Sequence, residues 1–275
     1  MPFNYNTNSF ILAETIHNRG FQMSTFIPCR ICVKRKGPFP GYYYHIFNSS
    51  IKTVVECDCH KKWRQEEELN RKLKNANLLV NSLYTPLKDY RGNQSRDNIP
   101  LVINYVEKFQ KFKDKMIYFY GPNGTQKTTI AMWIGKELII RGFSAYYTTM
   151  ENLVSILTPD FSIKELEDTK EYMQKKLIDV DLLIIDESFD KRSTTIFKSG
   201  FQIPLISSFL KNRFELEKKA ILFVSNVPPH QIAQNGFGEV IQSLVMRNVQ
   251  ESTLTWLDTF VLEANVIDPT ALFKR

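Results

Sequence analysis

Nine residues constrain this chain more than any others: Gly121-Pro-Asn-Gly124-Thr-Gln-Lys127-Thr128-Thr129. Ahead of them, Met116-Ile-Tyr-Phe-Tyr120 is a short apolar and aromatic run that reads as a buried strand. Behind them, residues 130–140 (Ile-Ala-Met-Trp-Ile-Gly-Lys-Glu-Leu-Ile-Ile) follow a helical pattern. Strand, glycine-rich turn and helix, in that order, are the setting of a phosphate-binding loop. The backbone N–H groups of such a loop and the N-terminus of its helix make a concave seat for anions. The pattern assigns Gly121, Pro122, Asn123, Gly124, Thr125, Gln126, Lys127, Thr128 and Thr129 to nucleotide binding. Lys127 would reach the β- and γ-phosphates, and the Thr128 hydroxyl would ligate Mg²⁺. Gln126 stands where the motif expects a glycine, and the sequence offers no physical reason for it.

A second motif supplies the partner such a loop needs. Leu182-Leu-Ile-Ile185 reads as a buried strand and runs directly into Asp186-Glu187. Carboxylates at the carboxyl end of a strand face the crevice where α/β proteins bind ligands. Asp186 would hold Mg²⁺ directly or through water, and Glu187 would orient and deprotonate the attacking water. A third apolar strand, Ala220-Ile-Leu-Phe-Val224, ends in Ser225-Asn226, a polar pair placed to meet a γ-phosphate or its water. Asn226 carries the sensing role in this reading.

Around these motifs the chain alternates strands with helices from Lys115 onward, which implies a mainly parallel sheet covered on both faces. The expected organisation is an N-terminal domain over 1–85, a polar linker over 86–99 and the nucleotide-binding domain over 100–275. All four cysteines fall in the first of these. Cys29-Arg-Ile-Cys32 and Cys57-Asp-Cys59 flank two strand-like segments, Tyr42–Phe47 and Ile51–Val55. Two chelating pairs around a hairpin look like a zinc ribbon, with His60 as an alternative ligand and an iron–sulfur cluster as the other reading. Residues 60–82 form a charged helical pattern with a narrow apolar stripe at Leu69, Leu73, Ala76 and Val80, read as a solvated connecting helix in preference to a nucleic-acid-binding one. The formal charge of +7 is compatible with nucleic acid without requiring it. The N-terminus lacks a basic start and an apolar core, and no apolar run approaches a membrane span, so a cytoplasmic location is expected.

Gly121–Thr129, Asp181–Glu187 and Phe223–Asn226 in this order resemble the AAA+ ATPases of the DnaC/DnaI helicase-loader family and their phage and transposon-helper relatives. The likeness covers about residues 100–260. It implies a P-loop AAA+ sheet, Mg²⁺-dependent ATP hydrolysis, assembly into a homo-oligomeric ring or spiral, and two partners: a replicative helicase and single-stranded DNA. It also implies an arginine finger, carried onto Arg247, and a zinc-bearing N-terminal region. The basic loop 188–200 would place Lys191, Arg192 and Lys198 on phosphates, with Phe189 or Phe197 stacking on bases or anchoring the core. Two other readings stand beside the loader: a transposition helper acting on duplex DNA, and an ATP-bound interaction module with little turnover, which Gln126 motivates.

Overall fold

The computed structural model describes residues 26–35, 38–48, 51–78, 98–159, 164–190, 202–249 and 253–255. At the N-terminal end a short helix, α1 (Arg30–Arg35), precedes an antiparallel hairpin of β1 (Tyr42–Asn48) and β2 (Ile51–Glu56). Helix α2 (Asp58–Asn75) follows with no intervening loop beyond Cys57. The hairpin expected between the cysteine pairs is therefore present. The second pair, however, sits at the start of a helix rather than on a turn of a ribbon.

The remaining elements run α3 (Asn98–Glu107), α4 (Phe109–Phe112), β3 (Met116–Tyr120), α5 (Lys127–Ile140), β4 (Ala145–Thr149) and α6 (Met150–Leu157). They continue as α7 (Lys164–Asp179), β5 (Leu182–Asp186), α8 (Gln202–Lys211), β6 (Ala220–Ser225), α9 (Gly238–Val249) and β7 (Thr253–Thr255). The five strands β3–β7 form one all-parallel sheet in the order β4-β5-β6-β3-β7. Strand pleating sends alternate residues to opposite faces. Ile117, Phe119, Leu182, Ile184, Leu222 and Val224 join a core with α3, α4 and α5, while Met116, Tyr118, Leu183, Ile185, Ile221 and Phe223 join a second core beneath α6–α9. Helices on both faces are thus confirmed, and the apolar runs read as buried strands are buried on both sides. Helix α5 lies so close to the sheet that a Cβ on Gly135 would come 3.1 Å from Ile184 Cδ1.

The charged segment after Cys57 differs from its expected role. Leu69, Leu73, Ala76 and Leu78 are buried in the same core as α5, so α2 packs its apolar stripe onto the nucleotide-binding domain. Leu69, Leu73 and Ala76 of the expected stripe are buried, Leu78 joins them, and Val80 lies outside the described residues. What the stripe faces was not visible, because its partners lie far along the chain. The expected linker over 86–99 falls outside the described residues except for Asn98 and Ile99, which open α3. No helix among the described residues is long and apolar enough to cross a membrane.

One buried charge holds the second core together. Helix α8 widens into a five-residue turn over Asn212–Leu216, and this aims Arg213 inward with 0% exposure. Its guanidinium donates to the carbonyls of Leu177 (2.7 Å), Ile178 (2.6 Å), Val180 (2.8 Å) and Ala220 (2.8 Å). It thereby caps the end of α7, where the last carbonyls lack helical partners and the helix dipole favours a cation. Arg213→Leu is expected to lower the unfolding free energy by about 3–5 kcal/mol, because four carbonyls, three of them in buried contacts, lose a charged donor. A urea titration placing the variant within ~0.5 kcal/mol of wild type would contradict this role.

Candidate nucleotide site and cysteine cluster

The two motifs meet at the carboxyl ends of β3, β5 and β6. Asn123, Gly124, Thr125, Gln126, Lys127, Thr128, Thr129, Asp186, Glu187 and Asn226 all line one cleft of about 410 Å³, a volume within the range of small-ligand sites. Gly121 and Pro122 contribute through their carbonyls. Lys127 Nζ donates to both, at 2.8 Å each, and lies 3.2 Å from Thr125 Oγ1. Burial pulls the Lys127 ammonium down to about 8, with the Asp186 charge pulling the other way.

Asp186 is the meeting point. Its Oδ2 accepts from Thr128 Oγ1 at 2.7 Å and from Tyr147 OH at 2.9 Å, and its Oδ1 accepts from the Glu187 backbone N–H at 2.7 Å. The Thr128 hydroxyl and the Asp186 carboxylate form a hard oxygen pair across β5 and α5, which suits Mg²⁺. Together with the N-terminus of α5 and Lys127, this donor set fits a magnesium-bound nucleotide. Tyr147 was not singled out from the sequence, where it is one aromatic in a strand pattern.

Three residues around this cleft adopt left-handed backbone without being glycine: Gln126 (φ 60°), Glu187 (φ 51°) and Phe189 (φ 63°). Such geometry costs a side-chain-bearing residue roughly 1–2 kcal/mol. At Gln126 it explains why the motif prefers glycine there, since ψ is 18° and the residue opens α5. Phe189 compensates by full burial. Its ring packs against Tyr118, Phe223 and Phe237 at centroid distances of 6.2, 5.1 and 5.2 Å, so it anchors the core and is closed to bases. Lys191, Arg192, Phe197 and Lys198 lie outside the described residues. Ser225 also borders the cleft, but its hydroxyl is engaged: it donates to Ser188 O and accepts from the Val227 N–H, while Asn226 lines the cleft beside it. Arg247 is not part of the cleft. It is exposed on the last turn of α9 and pairs with Glu215 at 2.8 Å.

The four cysteine sulfurs converge, all within 4.8 Å of one another. Cys29 Sγ is 3.6 Å from both Cys32 Sγ and Cys57 Sγ, and Cys32 Sγ is 3.3 Å from Cys59 Sγ. These spacings are too long for disulfides and near the roughly 3.8 Å that tetrahedral Zn–S bonds impose. A backbone hydrogen bond from Cys32 holds the Cys29 thiol down at about 6, while burial raises Cys32 and Cys59. His60 stands outside the sulfur group. Its Nδ1 is 2.6 Å from Glu56 Oε1, and its ring packs among Phe26, Tyr42 and Trp63. Four thiols with no open position fit a structural ion.

Several solved structures resemble this chain. DnaI matches at 18% identity and a TM-score of 0.52, over 66% of this chain and 94% of that one. The replication initiator DnaA bound to AMPPCP and single-stranded DNA matches at 20% identity and a TM-score of 0.50, over 66% of this chain. The match spans about half the length of that DnaA chain, 51%. The DnaC helicase loader is 20% identical over 68% of this chain and 98% of that one, with a TM-score of 0.48. No curated protein sequence matches. The parallel sheet, its strand order and the loop before α5 make this a P-loop AAA+ fold. The family model for the IstB-like ATP binding protein matches residues 47–235, and the chain belongs to that family.

Proposed function

We propose that the protein is an Mg²⁺-dependent ATPase that loads a replicative helicase onto single-stranded DNA, working as a homo-oligomer. The observation that carries the ATPase reading is the single cleft lined by Lys127, Thr128, Asp186, Glu187 and Asn226. In this reading Lys127 leaves its loop carbonyls to meet the β- and γ-phosphates. Magnesium, held by Thr128 and Asp186, would neutralise phosphate charge as it shifts. Glu187 takes the proton of the attacking water while the water oxygen bonds to the γ-phosphorus and the bond to the ADP oxygen breaks. Asn226 contacts the γ-phosphate, and Arg247 reaches the site of a neighbouring copy from the exposed end of α9.

The loader reading is supported by the resemblance of the motifs to the DnaC/DnaI family and by the DnaI-like fold. Single-stranded DNA as a partner is supported by a DnaA of the same fold, which holds AMPPCP and single-stranded DNA together. Residues 1–85 would contact the helicase, with zinc on Cys29, Cys32, Cys57 and Cys59 shaping that surface, and residues 100–275 would form the ATPase. Membership in the IstB-like ATP binding protein family leaves a second reading beside the loader, a transposition-helper ATPase acting on duplex DNA.

Glu187→Gln is expected to retain ATP while turnover falls by on the order of 10²-fold or more. Wild-type turnover is expected to rise with single-stranded rather than duplex DNA. Duplex-only stimulation would favour the helper reading, and equal slow turnover in wild type and variant would favour an interaction module. Gln126→Gly removes the strained side chain from the loop and is expected to tighten nucleotide binding several-fold in equilibrium titrations. Weaker binding would show that the glutamine amide itself holds the ligand. Purified protein is expected to carry one zinc per chain by elemental analysis, and removing it should abolish helicase capture while sparing nucleotide binding.

A further inference from the structure

Tyr147 connects two parts of the chain that the proposed function leaves separate. It lies in β4, an edge strand of the sheet, paired among the described residues with β5 on one side. Its main chain on the other side is met by the end of α2. The Tyr147 N–H donates to Ala76 O at 2.9 Å, and Asn77 Nδ2 donates to Tyr147 O at 2.9 Å. Asn77 reaches this position through left-handed backbone, φ 55°, immediately after the helix closes at Ala76. The Lys176 ammonium braces the same corner by donating to Asn75 O at 2.9 Å. Two residues after α2 thus act as a short hook on the sheet edge.

The other end of Tyr147 reaches the nucleotide cleft. Its phenol, buried with the rest of the side chain, donates to Asp186 Oδ2, the oxygen that also accepts from Thr128. We propose that Tyr147 is a positioning residue for the metal-binding carboxylate, and that the Ala76–Asn77 hook holds Tyr147 in place for that task. The inference rests on the nucleotide and magnesium reading of the cleft. Hydrogen bonds behind a metal-ligating group fix its orientation, and their loss typically costs about 10–100-fold in metal affinity. Without the phenol, Oδ2 keeps only Thr128, itself assigned to the metal. Helix α2 begins at Asp58, directly after Cys57 of the cysteine cluster, so the hook also ties the N-terminal module to Asp186 by one continuous helix.

The test uses the full chain with ADP, with Mn²⁺ followed by electron paramagnetic resonance and metal-free ADP binding by fluorescence titration. Tyr147→Phe is expected to weaken Mn²⁺ binding by on the order of tenfold or more while metal-free ADP affinity holds within about twofold. Asn77→Gly keeps the left-handed backbone but removes the amide, and is expected to weaken Mn²⁺ by about fivefold, the value of one hydrogen bond. Combined, the two should cost less than the product of the single effects, since both act through one phenol. Unchanged Mn²⁺ affinity in Tyr147→Phe would overturn the positioning role, as would a parallel loss of metal-free ADP binding, which marks a scaffold defect. Strict multiplicativity in the double variant would overturn the hook. Wild-type protein that binds ADP but no Mn²⁺, or neither, would remove the site on which the inference stands, and is read separately from the variants.

Discussion

The Asp186 carboxylate is held by three donors from three different places in the chain: the Thr128 hydroxyl on α5, the Tyr147 phenol on β4 and the Glu187 N–H behind β5. A carboxylate that is 6% exposed needs such partners, because burying it unpaired would cost several kcal/mol. Each donor is placed by the parallel sheet. Strand β5 carries Asp186 to the carboxyl edge, β4 lies beside it in register, and α5 starts from the loop after β3 on the same edge. The cleft is therefore a consequence of strand order rather than of any one loop.

The same reasoning separates the parts of the site that were legible in the sequence from those that were not. Lys127, Thr128, Asp186 and Glu187 were readable because a phosphate loop and its acidic partner are local patterns: each is a run of residues at a strand end. Tyr147, Arg213 and the α2 hook are defined mainly by contacts between residues 33 to 71 apart, and no local pattern announces them. Arg213 lies in a helical stretch where a charged residue reads as solvent-facing, and only the widened turn after α8 directs it inward. The three-residue strand β7 is too short to show alternation, yet it completes the sheet beside β3. Phe189 was readable either as a base-stacking ring or as an anchor. Its neighbours Tyr118, Phe223 and Phe237 come from β3, β6 and the turn before α9, so burial could not be decided without the fold.

Strain and compensation are distributed unevenly around the cleft. Phe189 and Glu187 hold left-handed backbone where deep burial and a hydrogen bond to Asp186 offset the cost. Gln126 holds the same conformation at a half-buried position where the motif would place glycine. The loop thus carries a local penalty at the point where phosphate would sit in the proposed nucleotide complex.

In the proposed complex a magnesium nucleotide occupies the cleft between Lys127 and Asp186. Crystals grown with Mn²⁺ and a non-hydrolysable ATP analogue, measured for anomalous scattering, test it most directly. The expected result is a manganese peak within coordination distance of Thr128 Oγ1, with Asp186 beside it, and phosphates over the N-terminus of α5. Nucleotide bound elsewhere, or a Thr128–Asp186 hydrogen bond left intact with no peak between the two residues at saturating ligand, would contradict it.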